Sequence, residues 1–372
     1  MKDYIFILGR DPELSILELA SYLNARKVQY KIKARSKTAA LVSLPELNFA
    51  KVIKGLGGTV KIARVISDLD SEELYSGSSN KIKYGISVYD DSDVDELKEY
   101  IKTRMRQEKL KAAYKRSSRQ EPFLMPNDVI RHELMNEGFE LVVYDNMAAR
   151  TIAVFNPFEY EKRDTERPKQ RELHMLSIRL AKILINLSMA KEGDDLIDPF
   201  CGYGILLQEA MLMGVNAIGF DISRECAEAS KVNLAWIAKK YKSSAQFKIF
   251  NANSRQISRF IEKADAAATE PYMGPLLNKI PVRKDAIKTI QVLEPLYRDV
   301  LKELAKVVKG NIAIIVPRFR LYSGERIKFN FERMLSEFGF KPVSALSEVK
   351  LPIIYTASDS KIEREIWVVR KL

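Results

Sequence analysis

The 372-residue chain contains very little cysteine and histidine. Two cysteines, Cys201 and Cys226, cannot form a disulfide framework. His132 and His174 are the only histidines, so the chain offers no credible zinc site and we expect no bound metal. A reducing compartment is the expected setting, and we predict a cytoplasmic protein.

Long apolar runs are also missing. None approaches the roughly 18 residues that cross a bilayer, so we expect no contact with membranes. The apolar stretch Tyr4–Leu8 ends at a Gly-Arg-Asp-Pro sequence, which predicts a strand and a turn rather than a signal peptide. Apolar residues make up 46% of the chain, which excludes a disordered or collagen-like protein.

Positive charge exceeds negative charge. The chain has 61 lysines and arginines against 49 acids, a net charge of +12, which favours a polyanionic partner such as nucleic acid. The segment Lys102–Arg119 concentrates this excess, because it carries basic residues, a central Tyr114 and a single acid, Glu108. This pattern is typical of RNA backbone contact, although a solvated helix face would look similar.

The order of predicted elements divides the chain into three folded parts. An α+β unit over 1–75 is followed by the linker Ser76–Asn80, a second α+β unit over 81–156 and a charged linker over 157–173. From 174 to 372, strands alternate with helices, which predicts a doubly wound α/β domain with a seven-stranded sheet. Its strands are predicted near 195–198, 217–221, 246–250, 264–269, 311–317, 341–346 and 365–370.

The first strand of this domain runs into a glycine-containing turn. Asp198 ends the strand, the sequence Pro199-Phe200-Cys201-Gly202-Tyr203-Gly204 follows, and a helix is predicted from Ile205 to Met213. The glycine spacing is not that of a dinucleotide-binding loop, and an acid at this position would repel phosphate. A second acid, Asp221, ends the next strand, where a carboxylate can bind both ribose hydroxyls. An acidic loop with a ribose acid fits S-adenosylmethionine better than NAD.

Several of these motifs resemble a known family. The sequence 198–204 resembles the first methyltransferase motif, and Ala217–Asp221 resembles the second. The lead-in around Arg167-Pro168 and His174 is similar to that of THUMP-containing tRNA guanine-N2 methyltransferases. The resemblance implies S-adenosylmethionine as cofactor, a ferredoxin-like domain over 1–75, a THUMP domain over 81–156 and a Rossmann-like class I methyltransferase domain. Its implied cofactor-binding residues are Asp198, Pro199, Phe200, Gly202, Gly204, Asp221, Ile222, Asn251, Ala252 and His174.

The sequence departs from the family at the acceptor motif, which is usually Asp-Pro-Pro-Tyr. Here a strand ending in Thr269 leads into Glu270-Pro271-Tyr272, one proline short. We predict that Glu270 takes the place of the aspartate, and an alternative alignment puts Thr269 there. Carboxylate and carbonyl acceptors at Glu270 and Pro271 would hold the N–H groups of a base amine, while the extruded base stacks on Tyr272.

These observations predict a methyltransferase acting on an exocyclic amine of RNA, with guanosine N2 of tRNA as the leading target. The same geometry would serve an adenine amine in RNA or DNA. A non-catalytic RNA-binding protein is the alternative from a different class, because the acceptor motif is shortened. We expect tRNA as the partner, no metal, and a monomer.

Overall fold

The structure is a computed structural model, and it describes residues 1–67, 69, 74–75, 80–170, 176–356 and 360–372. The described residues form two compact units. One comprises Met1–Ile16 and Lys27–Thr165, and the other comprises Leu17–Arg26 and Glu166–Leu372.

From Met1 to Glu166, the described residues form eight strands and five helices. The strands are β1 Lys2–Leu8, β2 Lys31–Arg35, β3 Ala39–Leu44, β4 Thr59–Val65, β5 Lys81–Val88, β6 Lys111–Tyr114, β7 Gly138–Tyr144 and β8 Met147–Val154. The helices are α1 Pro12–Ala25, α2 Phe49–Gly55, α3 Asp95–Gln107, α4 Pro126–Arg131 and α5 Pro157–Glu166.

The first unit is built on one continuous sheet. Its strands lie in the order β2-β3-β1-β4-β8-β7-β5-β6. Strand β4, from the part predicted as a ferredoxin-like domain, pairs antiparallel with β8, from the part predicted as a THUMP domain. The two predicted domains therefore share a sheet, because the edge of one supplies hydrogen bonds to the edge of the other.

A buried ion pair lies inside this sheet. Lys61 on β4 donates to Glu140 on β7 across 2.5 Å, and both side chains are fully buried. Glu140 also accepts from the hydroxyls of Ser87 and Thr151, and Lys61 also donates to the carbonyl of Leu124. Burial lowers the pKa of Lys61, and the neighbouring Glu140 carboxylate opposes that shift.

The remaining elements belong to the second unit. The strands are β9 Asp195–Asp198, β10 Asn216–Asp221, β11 Phe247–Asn251, β12 Ala266–Thr269, β13 Asn311–Arg320, β14 Arg326–Ile327, β15 Phe340–Pro342, β16 Ile353–Tyr355 and β17 Ile362–Lys371. The helices are α6 Ile178–Leu187, α7 Ile205–Leu212, α8 Arg224–Tyr241, α9 Arg283–Val307 and α10 Phe331–Glu337, with a short 3₁₀ helix at Ser254–Arg259.

The sheet of the second unit has nine strands rather than the predicted seven. Seven lie in the order β11-β10-β9-β12-β13-β17-β15, and the short strands β14 and β16 pair with β13 and β17. Strands β9 to β13 are parallel, whereas β17 runs antiparallel to β13. The strand order reverses beside β9, so the carboxyl ends of β9, β10 and β12 form the crevice in which such sheets bind ligands.

The described part of the charged segment, residues 157–170, contains a helix and a contact with α8. Its first part is the helix α5, in which Arg163 is buried and stacks over the ring of Tyr160 at 4.4 Å. Farther along, the backbone N–H of Lys169 donates to Asn233 on α8. The Arg163 side chain contributes packing as well as charge, which composition alone does not reveal.

Most of the linker predicted at Ser76–Asn80 lies outside the described residues.

Two features are absent from the described part of the chain. No described helix combines the length and the apolar character that a membrane crossing requires. Within the same residues, no group of three or more His, Cys, Asp or Glu side chains is arranged around a metal position.

Candidate active site

Asp198 lies at the carboxyl end of β9, in the middle of the parallel strands. Its Oδ1 accepts hydrogen bonds from the backbone N–H of Phe200 at 3.0 Å and from the hydroxyl of Thr269 at 2.7 Å. Burial raises the pKa of Asp198 to about 7, and the nearby charges of Asp221 and Glu270 act in the same direction. A buried acid of this kind is well suited to receive a cationic ligand group, which would stabilise its ionised form.

The turn after Asp198 requires glycine at two positions. Gly202 and Gly204 have φ values of +51° and +80°, in the left-handed region that glycine adopts without strain. A Cβ added at Gly204 would lie 2.5 Å from the hydroxyl of Ser230, whereas one added at Gly202 would meet no atom within 4 Å. The turn therefore packs closely on α8 at Gly204 and leaves space in front of Gly202. Pro199 is buried in this turn, and Phe200 packs against the core.

Asp221 lies at the carboxyl end of β10 and faces the same turn. Its two carboxylate oxygens accept from the backbone N–H groups of Gly202 and Ser223, each at 2.9 Å. These bonds fix the plane of the carboxylate. Each oxygen keeps a second lone pair, which is what binding of a ribose diol needs.

Asn251, at the end of β11, is oriented by the backbone beside Asp221. Its Nδ2 donates to the carbonyls of Asp221 and Ile222 at 3.0 Å, so Oδ1 is the atom able to accept from an adenine amine. Ala252 donates its N–H to the carbonyl of Asp221. The side chain of Ile222 is 74% exposed and offers an apolar surface for an adenine face.

The hydroxyl of Thr269 is already used by the protein itself. Thr269 is fully buried at the end of β12, and its hydroxyl is bonded to Asp198. This placement disfavours the alternative alignment, in which Thr269 would take the role of the family aspartate. The side chain instead links the ends of β9 and β12.

Glu270, the next residue, is held by a partner that sequence reasoning missed. Arg364 on β17 donates from Nε to Glu270 Oε1 at 2.6 Å, and both side chains are mostly buried. The only sequence signal was the alternation Glu363-Arg364-Glu365 within an apolar strand. The bond leaves acceptor capacity on the carboxylate, because each oxygen has two lone pairs.

The residues after Glu270 form the rest of the acceptor loop. Pro271 is buried, and Tyr272 is 52% exposed. The hydroxyl of Tyr297 donates to the carbonyl of Tyr272 at 3.3 Å, which ties the loop to α9.

Two further residues considered in the sequence remain. His174 lies outside the described residues. Cys201 is buried, and burial raises the pKa of its thiol well above the ordinary value, in keeping with a packing role.

The described residues fit S-adenosylmethionine. The buried Asp198 suits its ammonium group, Asp221 suits its ribose, and Asn251 with Ile222 suits its adenine. A Cβ at Gly202, which donates its N–H to Asp221, would meet no atom within 4 Å, so the backbone there is open to a ligand. An acid, and not a set of free helix N–H groups, begins this turn, so the donor set disfavours the pyrophosphate of a dinucleotide.

The strand order and this site define an α/β methyltransferase fold. Residues 166–323 match the family described as RMKL-like, methyltransferase domain, and residues 76–232 match a DNA methylase family. A possible methylase from Clostridium difficile has the same fold, with a TM-score of 0.50, 14% identity and coverage of 100% of this chain and 99% of that one.

Two relatives are named tRNA (guanine(10)-N2)-dimethyltransferase. The one from Methanothermobacter thermautotrophicus is 26% identical over 283 residues, which is 74% of this chain and 78% of the relative. The one from Methanocaldococcus jannaschii is 36% identical over 102 residues, 26% of this chain and 28% of the relative. The resemblance to tRNA guanine-N2 methyltransferases predicted from the motifs is thereby confirmed. The THUMP assignment and the individual site residues stay predictions.

Proposed function

We propose that the protein is an S-adenosylmethionine-dependent methyltransferase that modifies N2 of guanosine in tRNA. One observation carries the proposal. Three neighbouring strands, β10, β9 and β12, present Asp221, Asp198 and Glu270 at the same edge of the sheet. In this proposal the first two acids bind the cofactor, and the third holds the acceptor amine. The names of the relatives support tRNA as the substrate.

The mechanism depends on positioning. S-adenosylmethionine supplies an activated methyl group when it is bound. Glu270 and the carbonyl of Pro271 accept the N–H groups of the base amine and direct the nitrogen lone pair toward that methyl. Tyr272 provides a ring against which the extruded base stacks. Alignment of this kind accounts for a large part of the barrier reduction in a two-substrate reaction.

The first unit is proposed to bind the tRNA, with a ferredoxin-like part and a THUMP part. Within the basic run, Lys102 and Arg104 are paired with Glu99 and Glu108, which limits their contribution. A cavity of about 440 Å³ lies at the end of this run, lined in part by Tyr114, Arg116, Lys98 and Gln120. Cations and a tyrosine around a cavity suit a single-stranded RNA segment. The proposal includes a cytoplasmic, monomeric enzyme.

The decisive experiment is methyl transfer to unmodified tRNA, followed by mass spectrometry of the nucleosides. We expect N2-methylguanosine or its dimethyl form as the product. N6-methyladenosine would favour the adenine alternative, and the DNA methylase match makes unmodified DNA a necessary second substrate. Cofactor binding without transfer to any tRNA or DNA would favour a non-catalytic RNA-binding protein.

Asp221→Ala tests the proposed cofactor site. It removes the proposed ribose contacts, and each hydrogen bond to a charged group is worth about 1.5–3 kcal/mol. Calorimetry should therefore show at least a tenfold weaker affinity for S-adenosylmethionine. The same affinity in the variant would exclude Asp221 from the site.

A further inference from the structure

A second feature adjoins the acceptor loop, and apart from Tyr272 its residues have no part in the proposed chemistry. Three exposed apolar side chains follow or belong to the acceptor motif, namely Tyr272, Leu276 and Val282. Tyr322, at the turn between β13 and β14, is 73% exposed. We refer to these four residues, together with Arg320, Lys279 and Lys284, as the acceptor rim.

The hairpin that carries Tyr322 is well defined. Strands β13 and β14 pair at Phe319 with Ile327 and at Arg320 with Arg326. Leu321 donates its N–H to the carbonyl of Glu325 at 2.9 Å. This bonding holds the turn, so Tyr322 is displayed on a fixed support and its exposure is not that of a loose loop.

Two observations bear on how close the hairpin, the start of α9 and the acceptor loop lie to one another. Arg283, at the start of α9, forms an ion pair with Glu325 in the hairpin. Gly274 has a φ of +103°, and a Cβ added there would lie 2.6 Å from Thr289 on α9 and 3.8 Å from the ring of Phe319 on β13. Since β12 and β13 run parallel, the loop that follows β12 and the hairpin that follows β13 lie at the same end of the sheet as Glu270, and the start of α9 is paired with the hairpin.

The charge of the rim is positive. Arg320, Lys279 and Lys284 are exposed, and none of the three forms an ion pair with a residue that the structure describes. Cations beside exposed tyrosines are the combination that binds single-stranded nucleic acid, by phosphate contact and by base stacking.

We propose that the acceptor rim binds the RNA strand on either side of the target nucleotide, with a flanking base stacked on Tyr322 and flanking phosphates on Arg320. This proposal rests on the proposed function, because it takes the substrate to be RNA. An extruded base leaves a gap in its strand, and a second exposed aromatic near the pocket gives a neighbouring base a surface on which to stack. The rim would thus hold the strand open while Glu270 holds the amine.

The test combines tRNA binding with steady-state kinetics. Tyr322→Ala should raise the Kd for a fluorescent tRNA transcript and the KM for tRNA by about tenfold, in the range that loss of one stacked base produces. Tyr322→Phe keeps the ring and should behave like the wild type. Affinity for S-adenosylmethionine should be unchanged in both variants, since neither touches Asp198 or Asp221.

A charge reversal provides the second arm. Arg320→Glu should reduce the dependence of log Kd on log salt by about 0.7–0.9, because it removes one cation from the RNA backbone. Lys263→Glu is the matched control, because Lys263 is exposed just before β12, at the opposite edge of the sheet. Lys263→Glu should change the salt dependence of tRNA binding less than Arg320→Glu does.

The outcomes separate this proposal from the proposed function. Normal methyl transfer with unchanged KM, Kd and salt dependence in Tyr322→Ala and Arg320→Glu would overturn the rim and leave the function intact. A wild type that binds tRNA through Tyr322 but transfers no methyl group would support the rim and overturn the function. A wild type that binds no tRNA would overturn the rim.

Discussion

Two of the ion pairs among the described residues have similar N–O distances, 2.5 Å in Lys61–Glu140 and 2.6 Å in Arg364–Glu270, and differ in their surroundings. Lys61 and Glu140 lie within the sheet of the first unit and are fully buried. Glu270 and Arg364 lie at the strand ends of the second unit, where their side chains are 14% and 18% exposed, next to the half-exposed Tyr272.

The difference lies in the hydrogen-bonding capacity that each pair leaves for a ligand. Glu140 receives Lys61, Ser87 and Thr151, so its oxygens are occupied by the protein itself. One arginine donor holds Glu270 through Oε1, which leaves Oε2 able to accept from a substrate. The Lys61–Glu140 pair thus serves the fold, whereas the Glu270–Arg364 pair leaves an acceptor oxygen for the proposed base amine.

The largest effect should come from breaking the buried pair. Lys61→Ala leaves an uncompensated buried carboxylate, and we expect a loss of about 3–5 kcal/mol in the free energy of unfolding. Urea denaturation measures it. The double variant Lys61→Met, Glu140→Leu removes both charges and should cost much less. An equal loss in the single and double variants would show that packing, and not the charge, supports this site.

The next largest effect concerns Asp198, a buried acid in the proposed cofactor site. Its pKa of about 7 in the folded protein exceeds the ordinary value, so the folded state binds this proton more tightly than the unfolded state. Stability should therefore fall as pH rises from about 4 to 7 and level off above that range, by at most about 4 kcal/mol from this group.

The pH series needs a variant that cannot titrate. Asp198→Asn should flatten the fall in stability between about pH 4 and 7 relative to the wild type, in denaturation curves recorded without cofactor. Added S-adenosylmethionine should offset part of the wild-type fall, because its ammonium group stabilises the ionised carboxylate. Parallel pH profiles for the two proteins would mean that Asp198 titrates normally.

Substitutions at Glu270 should have a smaller effect, seen in the rate of methyl transfer and not in binding. Glu270→Asp shortens the side chain by one methylene, and a displacement of about 1 Å can reduce the rate roughly 100-fold. Glu270→Ala should reduce kcat at least as much, while tRNA and cofactor affinities stay close to the wild type. Glu262→Ala is a suitable control, since Glu262 is exposed before β12. Full activity in Glu270→Ala would assign the acceptor role to backbone carbonyls.

The smallest effect is expected at Arg364, which acts through Glu270. Arg364→Gln should lower kcat for methyl transfer about tenfold, the low end for a hydrogen bond to a charged group. KM for tRNA should not change, because Arg364 positions the carboxylate and does not bind the RNA. Arg364→Lys keeps the charge without the planar fork and should recover part of kcat. A change in KM with normal kcat would place Arg364 in substrate binding.

Much of the second unit was predictable from local sequence. The strand Asp195–Asp198 and the glycine turn are contiguous, and the helix after Gly204 begins one residue later, so periodicity and glycine placement locate them. The α+β character of 1–75 and 81–156 was also predictable, since strands and helices occur in both. The sharing of one sheet by two predicted domains was not, because strand order depends on long-range pairing.

The sequence by itself determined which acids and glycines could form the proposed cofactor site, since each lies within a few residues of a strand end. Tertiary structure alone decided which side chains each acid contacts. Thr269 meets Asp198 across 71 residues, and Arg364 meets Glu270 across 94. Such contacts depend on which strands become neighbours in the sheet, and that choice is made by burial and backbone hydrogen bonding over the whole domain. The role of Glu270 therefore could not be assigned in full from its own motif.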